Sequence, residues 1–316
     1  MSEGTLVEVK DRHGDPLPVT CCRTCGLTYV DPLPTKEELT EFYAERYRKQ
    51  YKDASAPRLK HVYRAGKVAL GRAKLVSLMA TPPARVLDCG AGGGEFAYLL
   101  SSRGYRFTGI EPNHGYREYA RSEYGVDLRP GMLDNADFAA GEFDLITIFH
   151  VLEHLPEPGA SLAKLAGWIR PGGHLYVEVP NAVTLASSPS NLYHRAHLFY
   201  FAAEPLAALA ARAGFRAVLL DCAPSQANLT AVFVRDDAVK SAGIAFPSAH
   251  DDVVAANQRR TLSRYLTSGQ TLANVGPRLW HRVVEKRLER SGQSGRATLD
   301  QLFRTEAPRL GHSQGS

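Results

Sequence analysis

The sequence predicts an α/β protein: a seven-stranded, doubly wound, Rossmann-like sheet of five parallel strands and a closing antiparallel hairpin, with helices on both faces and helical additions at both ends. Three observations carry this. From Arg85 onward, short β-branched and apolar runs alternate with helical segments, the pattern of βαβ units. A glycine-rich turn, Gly90-Ala91-Gly92-Gly93-Gly94, follows the first of these strands and opens a helix. The last two strands are separated only by Ala223-Pro224-Ser225-Gln226-Ala227, which leaves no room for a crossover helix, so they pair antiparallel.

Taken in order, residues 1–34 are rich in turn formers and hold a cysteine cluster. Residues 35–80 read as a helical cap. Thr35, with Glu38 three positions on, forms a capping box that opens its first helix. A second amphipathic helix follows over 58–80, carrying Leu59, Val62, Tyr63, Val68, Leu70, Leu75, Val76 and Leu78. The core spans 81–236, with strands at 85–89, 106–110, 126–129, 144–149, 174–179, 216–222 and 228–234. Its helices lie near 94–103, 114–124, 159–169 and 203–213. Residues 237–316 form a helical, basic extension around Leu262, Tyr265, Leu266, Leu272, Leu279, Trp280, Val283, Val284, Leu288, Leu299 and Leu302, and its last six residues are expected to fray.

Composition is that of a soluble globular chain: of 316 residues, 44% are hydrophobic and 22% charged, so a large core is available. The net charge of +5 resides in the final 80 residues, whose 12 Lys and Arg face 7 Asp and Glu. Those charges are spaced among apolar residues at helical intervals, which marks a solvated helix face rather than a surface for nucleic acid or anionic lipid. No leader-like start and no membrane-spanning apolar run is present, and the expectation is a cytoplasmic protein. Five cysteines suggest thiols or a metal site rather than a disulfide framework.

The glycine turn invites a nucleotide reading, and its acids redirect it. The sixth position of the dinucleotide fingerprint is Glu95 instead of glycine. Asp88 at the strand end and Glu95 at the helix start would repel a pyrophosphate that a helix N-terminus normally attracts. A cofactor carrying a sulfonium and an ammonium suits such surroundings. Glu111 ends the second strand, 23 residues after Asp88, where a carboxylate can take hydrogen bonds from both ribose hydroxyls.

Asp88-Cys89-Gly90-Ala91-Gly92-Gly93 resembles the D-x-G-x-G motif of the class I S-adenosylmethionine-dependent methyltransferases. Phe143 to Leu155 resembles their segment at and after the fourth strand, and Arg170-Pro171-Gly172-Gly173 is similar to their turn before the fifth. The resemblance implies S-adenosyl-L-methionine as cofactor. It implies a binding set of Asp88, Gly90, Ala91, Gly92, Glu111, Pro112, Leu133, Asp134, Phe149 and His150. In that set Gly90 and Gly92 line the methionine moiety, Glu111 holds the ribose, Leu133 and Asp134 flank the adenine, and Phe149 and His150 close the pocket. Cys89 departs from many relatives and is read as packing, because nothing adjacent lowers its pKa.

Methyl transfer needs alignment, and a base only when the acceptor is a hydroxyl. His150 and His154, four apart beyond the fourth strand, are expected to share a helical face, and they join His197 as candidate catalytic residues. Metal binding by this pair, with Glu153 nearby, is the alternative, but relatives commonly carry Val-Leu-Glu-His here without a metal, so none is expected. The segment from Asn181 to Tyr200 is long for a strand-to-helix loop and offers Asn181, Asn191, Tyr193, His194, His197 and Tyr200 to a hydroxylated acceptor. His197-Leu198-Phe199-Tyr200-Phe201 also resembles the family's H-L-x-x-F segment; a role in anchoring the loop is the alternative for His197 and one in packing for His154.

Cys22-Arg23-Thr24-Cys25-Gly26 has the form of a zinc knuckle and resembles the N-terminal zinc ribbon of some of these enzymes. A second C-x-x-C is missing, so the pair Cys22 and Cys25 reads as a degenerate, metal-free remnant. The expected partner is a small-molecule or glycan-like hydroxylated acceptor methylated on oxygen. Carbon or nitrogen methylation of a nucleotide-sugar or natural-product intermediate is the alternative, and a non-catalytic cofactor-binding scaffold is one of another class. Nucleic acid is not expected, since no Asn/Asp-Pro-Pro-Tyr/Phe segment follows the fourth strand. The sequence is silent on oligomeric state.

Overall fold

A computed structural model describes residues 3–11, 13–35, 37–39, 41, 56–187, 192–239, 247–261, 263, 265 and 275–306, with the side chains of 247 and 275–281 excepted. Asn191, Leu262, Leu266, Leu272, the side chains of Leu279 and Trp280, the continuation of the first cap helix over 42–55 and the C-terminal tail lie outside the described residues. In chain order the elements are β1 (Gly4–Lys10), β2 (Pro16–Cys22), β3 (Thr28–Val30), α1 (Leu59–Met79), β4 (Arg85–Cys89), α2 (Glu95–Ser102), β5 (Arg106–Glu111) and α3 (His114–Tyr119). There follow β6 (Arg129–Pro130), β7 (Phe143–Phe149), α4 (Pro158–Trp168), β8 (Ile169–Pro180), β9 (Phe199–Tyr200), α5 (Ala203–Arg212), β10 (Phe215–Asp221) and β11 (Asn228–Arg235). The helices α6 (Pro247–Arg259), α7 (Val275–Ser291) and α8 (Gly295–Glu306) follow among the described residues. None of the helices among the described residues is long and apolar enough to cross a membrane.

Seven strands are hydrogen-bonded in the order β10-β11-β8-β7-β4-β5-β6. The expected hairpin is there: β10 and β11 pair antiparallel, and β11 lies antiparallel to β8 in unbroken register from Asn228↔Pro180 to Val234↔His174. The α/β sheet is thus the mixed, hairpin-closed one that the sequence predicts. Two strands differ from their expected boundaries by more than one residue. The third expected strand shrinks to Arg129–Pro130, ending on a residue with no N–H to extend the ladder. The strand expected at 174–179 starts at Ile169 and runs through Pro171 and Gly172, the latter at φ +71°.

By contacts the chain forms two compact units. The first takes the described residues within Met1–Leu39, Phe138–Glu142 and Ile146–Val275. Here the N-terminal region is more regular than a turn-rich segment: β1, β2, β3 and β9 form a four-stranded antiparallel sheet. Alternation in Leu17, Val19 and Cys21 puts every second side chain of β2 inward, where they join Val30, Tyr193, Tyr200 and Val253 in one core. Arg260, from the basic extension, is buried. Its guanidinium donates to the carbonyls of Thr184 and Ala182 and to Asn257, so that charge is spent inside the fold.

The second unit takes the described residues within Thr40–Asp137, Phe143–Leu145 and Gly276–Ser316. β4 and β5 pair in parallel from Arg85↔Arg106 to Cys89↔Ile110, and β6 extends them through Ile110↔Arg129. α1 buries Val62, Gly66, Ala69, Leu70, Ala73 and Val76, whereas Val68 and Leu78, expected on its apolar stripe, are exposed. The narrow face follows from what crosses it: at Gly66 a Cβ would come within 2.5 Å of Leu299, so α8 lies close against the helix. Leu299 joins Val62, Ala91, Ala97, Ala120, Tyr124, Val126 and Leu128 in the core. The ion pair Arg64–Glu285, with two bonds of 2.6 and 2.7 Å, and the Arg296 bonds to Glu123 tie further parts of the basic extension into this unit.

Leu299→Ala is expected to cost about 2–5 kcal/mol, the usual range for emptying a closed apolar site, read as a lower urea midpoint. Glu95 opens α2 buried, and that burial pushes its carboxyl from the ordinary 4.5 up to about 7. A raised folded value means that the native state keeps a proton which the unfolded chain gives up. The contribution of Glu95 is therefore greatest below pH 4.5 and falls as the pH rises through about 7. Stability curves of wild type and Glu95→Gln should diverge across that window by up to about 3 kcal/mol, the wild type falling more steeply.

Candidate functional site

The glycine turn begins where β4 ends. The N–H groups of Gly90 and Ala91 both donate to the carbonyl of Ile110, at 2.9 and 3.0 Å, which folds the chain back over the end of β5. Gly92 then sits at φ +56°, with nothing within 4 Å of where a Cβ would stand, so its backbone faces open space. Gly94, at φ +86°, is different: a Cβ there would meet that of Ala120 at 2.7 Å, and glycine is what lets α2 start here.

Glu111 closes the arrangement. Its Oε2 accepts from the N–H of Gly92 at 2.9 Å and its Oε1 from that of Asn113 at 2.8 Å, while burial raises its pKa against the pull of those bonds. Asp88 is buried too. Asn113, which the sequence reading passed over, caps α3 by accepting from the N–H of Tyr116, and its Nδ2 is buried with no hydrogen-bond partner among the described residues. The signal was available, as an asparagine opening a helix two residues after the acid. A hydroxyl group of a ligand can accept from Asn113 there, and a phosphate-free, cationic cofactor suits the acids around the turn. Of the other expected residues, Ala91 and Leu133 are buried, and Pro112 and Asp134 are exposed. Cys89 is enclosed and its thiol is raised well above the ordinary range by burial, which agrees with packing.

In the other unit, Phe149 ends β7 buried and edge-on to Tyr176, with ring centroids 4.8 Å apart. His150 and His154 do not share a helical face as expected. His150 adopts φ +56°, and only Leu152–His154 form a turn, of 3-10 type. The residue this turn brings forward is Glu153, absent from the expected catalytic set. It is fully buried, neither carboxylate oxygen has a hydrogen-bond partner among the described residues, and its Oε1 lies 3.4 Å from Nδ1 of His150 and 3.8 Å from Nε2 of His197. The sequence hides this, because Glu-His after a strand reads as a surface turn.

Around Glu153 the histidines are held by neighbours. His150 is 40% exposed, its N–H donates to the carbonyl of Glu178, and its Nε2 meets Nδ2 of Asn228 at 3.3 Å. His154 Nδ1 lies 2.6 Å from the carbonyl of Ala196; a carbonyl only accepts, so Nδ1 carries the proton and Nε2 is left as an acceptor. His197 is buried, its ring 3.5 Å from that of His194 and 4.8 Å from that of His154 between centroids. The carbonyl of Glu153 accepts from Leu198, tying the two segments together. Other polar groups of the 181–200 segment serve the fold. Asn181 donates to the carbonyls of Cys222 and Ala223, Tyr193 donates to Asn257, and Tyr200 donates to the carbonyl of His194.

Cys21 and Cys22 are buried on β2 and Cys25 is half-buried in the turn after it. Burial pushes the Cys21 thiol up to about 11 and raises that of Cys25, so both are protonated near neutrality.

A methyltransferase domain family matches residues 59–220, half of the chain. The chain is 31% identical over 103 residues to the ubiquinone biosynthesis O-methyltransferase of Aeromonas salmonicida (strain A449), covering 31% of this chain and 43% of that protein. To the enzyme of the same name from Aromatoleum aromaticum it is 35% identical over 103 residues, covering 31% and 44%. The matched stretch thus spans less than half the length of these curated relatives. Among solved structures, the chain aligns with Burkholderia thailandensis 1,6-didemethyltoxoflavin-N1-methyltransferase at 21% identity, covering 75% of this chain and 100% of that one, with a TM-score of 0.47. With half its length matched by the domain family, the chain belongs to the class I S-adenosylmethionine-dependent methyltransferases.

Proposed function

We propose that the chain is an O-methyltransferase acting on a hydroxylated small molecule, with His150 as the general base and Glu153 as the residue that positions it. The observation that supports this is the buried, unbonded carboxylate of Glu153 beside Nδ1 of an exposed histidine. A carboxylate in that place fixes the ring's tautomer and stabilises the imidazolium that forms when Nε2 gives up its bond from Asn228 and takes the acceptor's proton. Oxygen as the acceptor atom is favoured because the curated relatives are named O-methyltransferases.

S-adenosylmethionine, when bound, supplies a methyl group on a positively charged sulfur. The residues assigned to hold it are Asp88, Gly90, Ala91, Gly92, Glu111, Asn113, Leu133 and Asp134. Glu111 and Asn113 take the ribose, and exchanging the Gly92 bond of Glu111 for a ribose hydroxyl frees the Gly92 N–H toward the ligand. The acids of the turn attract the cationic centre without steering anything through it. Proton removal is left to His150, the most exposed of the candidate histidines, with Phe149 as an apolar wall beside it.

Calorimetric titration with S-adenosylhomocysteine should give one site, weakened at least about tenfold in Glu111→Ala; absence of heat at millimolar ligand would overturn the assignment. Against a panel of phenols, hydroxy acids and sugar nucleotides, His150→Ala should lower kcat by about 10²–10⁴ with S-adenosylhomocysteine affinity unchanged. Binding without turnover on any acceptor points instead to a non-catalytic scaffold, and methyl groups found on carbon or nitrogen of the product would rule out the oxygen assignment.

A further inference from the structure

We propose that Glu153, His154 and His197 form a binding site for one divalent cation of the zinc class. One ligand atom from each, a carboxylate oxygen and two ring nitrogens, lies within 4.8 Å of the others. On a tetrahedral zinc-class ion, neighbouring ligand atoms sit about 3.3 Å apart, given metal–ligand distances near 2.0–2.1 Å. The 3.8 Å from Glu153 Oε1 to His197 Nε2 is therefore a small side-chain rotation away.

Three independent features point to a cation. Glu153 is fully buried with neither oxygen hydrogen-bonded among the described residues, an expensive state for a carboxylate that a metal relieves directly. His154 has its Nδ1 proton committed to the carbonyl of Ala196, which leaves Nε2 as a neutral donor with its ring fixed; this is the outer bond that ligating histidines usually make. His197 is held by the ring of His194 at 3.5 Å and, through the adjacent Leu198 N–H, by the carbonyl of Glu153, so the two segments that carry the ligands are already joined.

Two imidazoles with one carboxylate is a donor set that zinc takes with its fourth position open, and it is harder to reconcile with magnesium or calcium, which prefer oxygen. His154 is half-buried, leaving one side of the cluster accessible. Cation binding needs no acceptor and no methyl donor, so it is tested apart from the enzymatic reading.

The test uses the full chain, purified without a histidine tag and stripped with a chelator, then titrated with Co²⁺ under visible absorbance and with Zn²⁺ by calorimetry. One equivalent should bind, with the intense visible bands of four-coordinate cobalt. Glu153→Gln and His154→Gln should each weaken binding by at least about tenfold, whereas His150→Ala should retain it. S-adenosylhomocysteine binding checks that each variant is folded; should Glu153→Gln fail to fold, His154→Gln decides. No uptake by the wild type, or uptake unchanged in the folded variants, overturns the proposal, and loss in His150→Ala alone would move the cation away from His154 and His197 and overturn it equally.

Discussion

Two amide hydrogens converging on one carbonyl oxygen set the geometry of the glycine turn. Gly90 and Ala91 both bond to Ile110, one residue before Glu111, so the turn after one parallel strand is tethered to the end of the next. Once that tether is made, Gly92 lies where its N–H reaches the carboxylate of Glu111, and Ala91 drops into the apolar core beneath. Acid and turn therefore form one unit of structure. The cost of enclosing Glu111 is offset by two backbone donors, and the cost of a left-handed residue is avoided by glycine.

Much of this was legible in the sequence because it rests on local rules. The period of the hydrophobic pattern locates the strands, the five-residue gap dictates the hairpin, and the acid at position 95 breaks the dinucleotide fingerprint. What stayed hidden depends on through-space neighbours. The N-terminal strands were obscured by turn-forming residues, since β3 has only three residues and gains its partner β9 from about 170 positions later. Val68 and Leu78 looked like core on α1, but the close crossing at Gly66 narrows the buried face, and a glycine does not announce what packs on it.

Glu153 shows the same limit at the level of chemistry. Its sequence neighbours make a common motif, and the expectation was that two histidines one helical turn apart would matter together. A left-handed residue at position 150 turns His150 out of that register and leaves the acid, not a ring, facing inward. Burial without a hydrogen bond is a property no motif encodes, and it is what separates a surface glutamate from one that awaits a charged partner.

The close approach of α8 to α1 bears on where this protein begins and ends as a physical object. The matched family segment stops at residue 220, yet Leu299 and the Arg296–Glu123 bonds belong to the same packed body as Ala91 of the glycine turn. A helix outside the shared segment thus supplies part of the floor on which that turn rests. Evolutionary and mechanical boundaries need not coincide here, and variation in the basic extension can reach the turn through packing alone, with no residue of the extension touching a ligand.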